Sequence, residues 1–329
     1  MNISYLVQVR CLTFNHAAYI EDTMNGFCIQ ETTFPFVCTI IDDASSDGEA
    51  LIIRQYLQDH FDLGNNNIMY KEETNDYDMI FAQHSINKNC YFAVYFLKYN
   101  HFSIKKKKNT YIKDWNDKVK YIALCEGDDY WILPNKLQKQ AMFMEKNTDY
   151  SLCGTNGLVI WENLVNNARY FNNIIKDQEM KPEHIIGHWI MPTASIFYRK
   201  DIMLRLPAWS SSIISGDQLT ILIAMNYGKI YMFRDLSCIY RKLEGGSILG
   251  NIVTKKYHQR NIYDMYLGFS EYSNHKFDDI IIPYLKKKKK ELIPGLKEKV
   301  KESDLYKVLK HRFIDKIVDR IRFISFIEV

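Results

Sequence analysis

The sequence has no C-x-x-C pair. Its seven cysteines, Cys11, Cys28, Cys38, Cys90, Cys125, Cys153 and Cys238, stand singly and mostly in apolar runs; they read as buried, reduced thiols and not as a paired framework. No window approaches eighteen uninterrupted apolar residues, and "MNISYLVQVRC" lacks a basic region followed by an apolar core, so neither a spanning helix nor an export signal is expected, and the expected place is cytoplasmic. There is no G-x-G-x-x-G after the first apolar run and no G-x-x-x-x-G-K-[ST], which argues against dinucleotide dehydrogenases and P-loop enzymes. "CLTFNHAAYI" has no glycine, unlike the phosphate loop of sugar-phosphate nucleotidyltransferases. H-E-x-x-H and G-x-S-x-G are also missing, so nothing supports a zinc protease or a serine hydrolase. No internal repeat and no Gly/Ser- or Pro-rich linker marks a clean domain boundary.

What remains is ordinary globular composition: 329 residues, 47% hydrophobic, 25% charged and 14% aromatic, enough for one large domain or two modest ones. The net charge of +4 is unevenly placed. Residues 286–329 carry 14 Lys and Arg against 7 Asp and Glu, whereas the preceding chain is net acidic. Basic character therefore belongs to a tail, which argues against a general nucleic-acid binder.

The first 130 residues alternate apolar runs with amphipathic stretches, the pattern of strands alternating with helices in a largely parallel sheet. The expected strands are Tyr5 to Thr13, Phe36 to Asp42, "NIMYKE" and Tyr121 to Cys125. Helices are expected around Ile20 to Cys28, from a capping box at Ser46 and Glu49, and over Tyr91 to Leu97. Lys105 to Lys108 read as a solvated loop. Beyond residue 150, two β-like runs precede "TASIFYRKDIM", the helix "DQLTILIAMNYG" and two strands, "KIYMF" and "LSCIYR". From about Asn251 the chain reads as helical, ending in a stripe of Leu305, Leu309, Phe313, Ile317 and Ile321.

In open parallel sheets, ligands bind outside the carboxyl ends of the strands. Three polar stretches sit there: "TFNH" (Thr13 to His16), "DDASSDG" (Asp42 to Gly48) and "EGDD" (Glu126 to Asp129). Carboxylates that share a crevice raise one another's pKa unless compensated, and a hard divalent cation shared with substrate phosphates is the usual answer. An exposed acidic turn is the plainer reading of "EGDDYW".

These stretches, together with "SGDQLTILIAMNYGKIYMFRDLSCIYR", resemble family 2 glycosyltransferases of the GT-A fold, over roughly residues 5 to 247 and with the motifs in the family's order. The resemblance implies an α/β fold with a mainly parallel central sheet. It also implies transfer from a nucleotide-sugar donor, most often a UDP-sugar, to a hydroxyl of a glycan or lipid-linked acceptor with inversion, as in bacterial surface polysaccharide synthesis. Asp43 falls at the uracil, Phe14 near the base, Asp42 and Lys88 with Asn89 near the nucleotide and Glu126 near the ribose. Asp128 becomes the ligand of Mn²⁺ or Mg²⁺, and Asp217 the general base, although an N-cap role would also suit it. Asp129, Trp131, Thr193 and Arg241 are assigned to acceptor or diphosphate. Leu243 stands where the family often has a histidine, and the lysine-rich stretch of 105–118 looks like an insertion.

The implied organisation is a catalytic domain over 1–250, with a nucleotide half to 130 and an acceptor half beyond it, followed by a helical basic region over 251–329. The basic tail, 286–329, suits an anionic membrane surface, peripheral to the inner face of the cell membrane, or a helix packed on the domain with a solvated lysine face. Two rival functions stay open: a non-catalytic nucleotide-sugar-binding or scaffold subunit, and a membrane-surface adaptor.

Overall fold

The computed structural model describes residues 4–64, 69–162, 164–243 and 252–292. The chain divides into two compact units, Met1–Lys255 and Lys256–Val329. In chain order the first begins with β1 (Val7–Thr13), α1 (Ile20–Cys28), β2 (Phe36–Asp42), α2 (Glu49–His60), β3 (Tyr70–Glu73), β4 (Tyr77–Gln83), β5 (Cys90–Leu97), α3 (Lys113–Asp117) and β6 (Tyr121–Leu124). It continues through β7 (Tyr130–Trp131), α4 (Lys136–Lys146), β8 (Tyr150–Trp161), β9 (Leu164–Tyr170), β10 (Gln178–Met180) and α5 (Pro182–Ile185). It closes with β11 (Phe197–Arg199), α6 (Asp201–Leu204), α7 (Gly216–Tyr227) and β12 (Lys229–Lys242). Two longer helices follow, α8 (Ile252–Tyr272), which contains the division between the units, and α9 (Asp278–Leu292). In the second unit the rings of Phe269 and Phe277 stack at 5.7 Å and those of Tyr266 and Tyr284 meet at 4.8 Å. Among the described residues, no helix is long and apolar enough to cross a membrane.

One sheet runs β10-β12-β8-β11-β6-β1-β2-β5-β4-β3, with β7 beside β12 and β9 beside β8. Its centre is parallel: β1 pairs with β2 and β6, and β2 with β5. β8 and β12 are also parallel to each other, and β11 runs antiparallel between β8 and β6. Consequently β5, β2, β1, β6, β8 and β12 all point the same way and deliver their carboxyl ends to one mouth. The proposed nucleotide and acceptor halves thus share a single sheet. Every residue of β2 and β5 is buried, as expected for strands covered on both faces. Beneath β1 and β2, α1 turns Ile20, Met24 and Phe27 inward, and Gly26 lets it approach β7 so closely that a Cβ there would lie 2.7 Å from the Trp131 nitrogen.

Several sequence expectations are corrected. Tyr91 to Leu97 form the central strand β5 and not a helix; eight consecutive buried residues carry no periodicity, and their aromatic and β-branched character decided for a strand. "KIYMF" and "LSCIYR" are one continuous strand, β12, with irregular register against β8 between Phe233 and Cys238. Ser46 and Glu49 form no capping box: α2 starts at Glu49 behind Gly48 in a left-handed conformation, φ 93°. Lys105 to Lys108 do not belong to a wholly solvated loop, since Lys106 and Lys108 fold back onto Asp76 and Asp43. The stripe from Leu305 to Ile321 and the tail beyond Leu292 lie outside the described residues.

Candidate active site

The mouth is assembled by side chains that tie the strand-end loops to one another. Glu49 is fully buried; its carboxylate accepts from the Thr13 hydroxyl, from the His16 N–H at 2.9 Å and from Ser45 Oγ at 2.8 Å. One carboxylate thereby locks the loop after β1 to the loop after β2. Asn15 and Ala44 carry positive φ of 57° and 61° in these two loops. Phe14, 43% exposed, stands at the rim.

Asp43 is buried at the end of β2, and its carboxylate is already engaged. It accepts the N–H groups of His101 at 2.7 Å and Phe102 at 3.1 Å, and the Lys108 ammonium at 2.6 Å. Asn100 donates to the Asp43 carbonyl at 3.0 Å. These partners come from the chain leaving β5, whose carboxyl end adjoins that of β2. Lys88 and Asn89 sit instead at the other end of β5, where Cys90 pairs with Phe36 while Phe96 pairs with Asp42. That separation is about 20 Å at the usual rise per strand residue. Asn89 donates to the Thr32 carbonyl at 2.6 Å, and Lys88 lines a shallow hollow with Gln58, Phe61 and Ser85. The structure therefore does not bring Lys88 to the mouth; Asn100, His101 and Lys108 occupy that ground.

Asp42 is likewise no open ligand. Its side chain accepts the Ser45 N–H at 3.0 Å, holding the turn, and burial pushes its pKa upward.

The "EGDD" turn after β6 is held from three sides. Gly127 N–H donates to the Leu12 carbonyl at 3.0 Å, and Thr23 on α1 donates to the carbonyls of Gly127 and Asp129 at 3.0 and 2.6 Å. A Cβ at Gly127 would lie 2.1 Å from Thr13 Oγ1, so the turn requires glycine for close approach. From below, Arg241 donates to the Asp128 carbonyl at 2.9 Å, pairs with Asp22, and lies between the rings of Tyr19 and Tyr130 at 5.1 and 4.4 Å. Asp129 is buried and accepts the Arg241 backbone N–H at 2.9 Å. Trp131 is fully buried, with its indole N–H on the Ala194 carbonyl at 2.6 Å. Asp129, Trp131 and Arg241, expected to face acceptor or diphosphate, thus form the support under the turn.

The groups that do face the mouth are Glu126, Asp128 and Asp217. Glu126 is half-buried, and its pKa is pushed up to about 8, first by desolvation and then by the charges of Asp128 and Asp217. Asp217 reaches the cluster from the first turn of α7. Its Oδ1 accepts the Gln218 N–H at 2.8 Å, while Oδ2 accepts the Thr193 hydroxyl at 2.9 Å. Thr193, at the turn before β11, is therefore an orienting group for Asp217. Asp128 Oδ2 lies 4.0 Å from His16 Nε2.

Among the described residues, no three His, Cys, Asp or Glu side chains form a ready metal cage. Mg²⁺ and Mn²⁺ in phosphate-transfer sites are commonly held by one or two carboxylates, with substrate phosphates and water completing the shell. The pair Asp128 and Glu126 meets that requirement; burial and the neighbouring charges of Asp128 and Asp217 raise the Glu126 pKa, and a cation bound there would favour its ionised form. The donor set fits a cation that arrives with a diphosphate. Leu243, half-buried just after β12, offers no ligand.

No family model matches the chain. The uncharacterized proteins Rv1520 of Mycobacterium tuberculosis and Mb1547 of Mycobacterium bovis are each 26% identical to it over 191 residues, 57% of this chain. The chain spans 45% of the length of these curated relatives. Among solved structures, Staphylococcus aureus TarS 1–349 in complex with UDP-GlcNAc matches at 16% identity and TM-score 0.52, covering 91% of this chain and 77% of that one. Mannosyltransferase PcManGT from Pyrobaculum calidifontis, in complex with GDP-Man and Mn²⁺, matches at 11% identity and TM-score 0.51, covering 89% and 77%. At such identities the likeness speaks to architecture: the chain has the GT-A-type α/β fold, mainly parallel at its centre, found in those two proteins.

Proposed function

We propose that the chain is an inverting glycosyltransferase that moves a sugar from a nucleotide-sugar donor, a UDP-sugar in our reading, to a hydroxyl of a glycan or lipid-linked acceptor. The observation that carries the reading is the meeting of Glu126 and Asp128, at the carboxyl end of β6, with Asp217 from the first turn of α7. TarS binding UDP-GlcNAc and PcManGT binding GDP-Man with Mn²⁺ on the same fold support it.

In this reading the base lies between Phe14 and Asp43, and the ribose near Glu126. The diphosphate points toward Asp128, which with Glu126 would hold a divalent cation; when bound, that cation supplies positive charge against the departing diphosphate. Asp217 accepts the proton of the acceptor hydroxyl as its oxygen bonds to the anomeric carbon. The bond from sugar to phosphate breaks on the opposite face, and the nucleoside diphosphate leaves with the electron pair. The Thr193 hydroxyl and the Gln218 N–H each engage one Asp217 oxygen, which fixes the direction of the carboxylate and leaves its remaining lone pairs for the hydroxyl proton, and the strand-end setting orients both partners. The basic tail of 286–329 suits an anionic membrane surface, which would place the enzyme beside a lipid-linked acceptor of surface polysaccharide synthesis.

A second reading, a non-catalytic nucleotide-sugar-binding subunit, is favoured by one observation: Leu243 stands where the family often has a histidine and offers no metal ligand. Turnover in a protein that binds donor separates the two. The test of the first is calorimetric titration of UDP, GDP and UDP-sugars with Mn²⁺ and with chelator, alongside Asp128→Ala. Mn²⁺-dependent UDP binding removed by the substitution is expected; no nucleotide binding under any condition overturns the assignment.

A further inference from the structure

At the end of the mouth away from Asp43, three rings form a compact cluster. Trp189 meets Phe171 at 5.3 Å and 85°, and Tyr240 at 5.6 Å and 76°; Phe171 and Tyr240 meet at 5.8 Å and 86°. Each pair is edge-to-face, the arrangement in which aromatic groups brace one another. Phe171 and Tyr240 are half-buried and flank β8, with Tyr240 registered opposite Val159 and the Phe171 N–H bonded to the Gly157 carbonyl at 2.9 Å. The indole of Trp189 stays 43% exposed. It is anchored through the adjacent Ile190, whose carbonyl accepts from Asn172 Nδ2 at 2.7 Å. The protein has therefore fixed a large aromatic surface in position and left it facing solvent.

Two observations place this surface next to the reacting carboxylates. Tyr240, in edge contact with Trp189, lies close enough to Asp129, Asp128 and Asp217 for their charges to help raise its hydroxyl pKa, after burial as the main cause. Trp189 also precedes, by one short turn of chain, the Thr193 that holds Asp217. Across the sheet, the order of groups from β2 to β12 is Asp43, then Glu126 and Asp128, then Asp217, then the ring cluster.

Resting on the glycosyltransferase reading above, we infer that Trp189, braced by Phe171 and Tyr240, is the platform on which a pyranose ring of the acceptor stacks. A pyranose presents an apolar face of C–H groups that suits the electron-rich face of an indole, and its rim of hydroxyls needs polar groups at the edge of the platform. Asn172 and His188 lie in the segments flanking the indole, and Asp217 beyond Tyr240 is the group that would receive the proton of the reacting hydroxyl. A polyol-phosphate acceptor would ask for cations in place of a ring surface, and a bare polyprenyl chain for a longer apolar groove. A single braced indole is of the size of one sugar ring.

The test uses the full chain with UDP and Mn²⁺, probed with methyl β-glucopyranoside, methyl N-acetyl-β-glucosaminide, cellobiose, chitobiose and ribitol 5-phosphate. Saturation-transfer NMR and the indole N–H shift of Trp189, assigned by its loss in Trp189→Phe, report contact. Pyranoside binding is expected to weaken about tenfold or more in Trp189→Ala and to fall less than threefold in Trp189→Phe, with UDP affinity unchanged in both and the melting temperature lowered in Trp189→Ala by the lost ring contacts. Equal pyranoside binding by Trp189→Ala and the parent protein, no pyranoside binding by the parent, or selective binding of ribitol 5-phosphate each overturns the platform. Donor turnover decides the underlying reading separately. If the parent hydrolyses a UDP-sugar yet shows any of those three results, the platform alone fails; if it binds no nucleotide, the transferase reading fails first.

Discussion

Two acidic strand ends, one on each side of β1, are treated in opposite ways in this sheet. After β2, the charge of Asp43 is answered within the chain by Lys108 and two N–H groups, and Asp42 is tied to its own turn. After β6, the chain invests its partners in the backbone of the turn and in Asp129, through Thr23 and Arg241. Glu126 and Asp128 are left pressing on each other and on Asp217. The first arrangement stabilises the protein; the second crowds carboxyl groups at a rigid place and raises the Glu126 pKa, first by burial and then by its neighbours' charges, as sites that take a cationic or polarised ligand do.

The sharpest way to test this contrast is to remove one carboxylate of each kind. Asp217→Asn, on the uncompensated side, is expected to lower kcat about a thousandfold while leaving UDP affinity and melting temperature unchanged, as followed by donor turnover and calorimetry. Asp43→Ala, on the compensated side, leaves the Lys108 ammonium and two N–H groups without their acceptor, and should destabilise by about 3 kcal/mol; denaturant unfolding at pH 7 measures it. Should Asp43→Ala leave stability intact, the distinction between the two strand ends collapses.

Rigidity of the second turn is the next target. Gly127→Ala forces a Cβ against Thr13 and is expected to cost about 2 kcal/mol, with a matching loss of donor affinity because the turn and the loop after β1 must separate. A smaller effect concerns the charge behind that turn. Lys136 is fully buried, donates to Gln140 at 2.9 Å, and has its pKa lowered from 10.5 to about 8 by desolvation. Between those values the unfolded chain holds a proton that the folded chain has released, so stability rises with pH across the window, and the full penalty applies below it. Lys136→Met should stabilise by about 2 kcal/mol at pH 7, with the gain shrinking from pH 8 to 10.5 in a series of thermal melts. The least effect is expected for Ala44→Gly: relief of the positive φ at a position that suits glycine, offset by unfolded-state entropy, leaves about 0.5 kcal/mol of stabilisation.

Much of the mouth was legible in the sequence because β1, β2 and β6 each end an apolar run with an abrupt polar cluster, and parallel order brings such ends together. Asp128 and Asp217 could be singled out on that basis and on the family resemblance. What stayed hidden depends on distant pairing. Lys108 looked like part of a solvated run because its partner, Asp43, lies 65 residues away. The family resemblance puts Lys88 near the nucleotide, whereas the register of β5 against β2 puts it at the opposite end of the strands from the mouth. Trp131 and Arg241 carry side chains that suit ligands, yet both are buried beneath the turn that they support. The spacing of Ser46 and Glu49 suggests a helix cap, and nothing local to Glu49 signals that Thr13, Ser45 and His16 converge on it.

The long parallel pairing of β8 with β12 has a consequence for how such a protein can change. Five strand spacings separate β12 from β2 along the sheet path, about 24 Å at the usual interstrand distance, a span longer than one side chain can reach. Substitutions beside Asp43 and substitutions beside Tyr240 should therefore combine additively. A lineage carrying this sheet could exchange what it binds at one edge while keeping what it binds at the other, and a designer could recombine the two edges without rebuilding the middle.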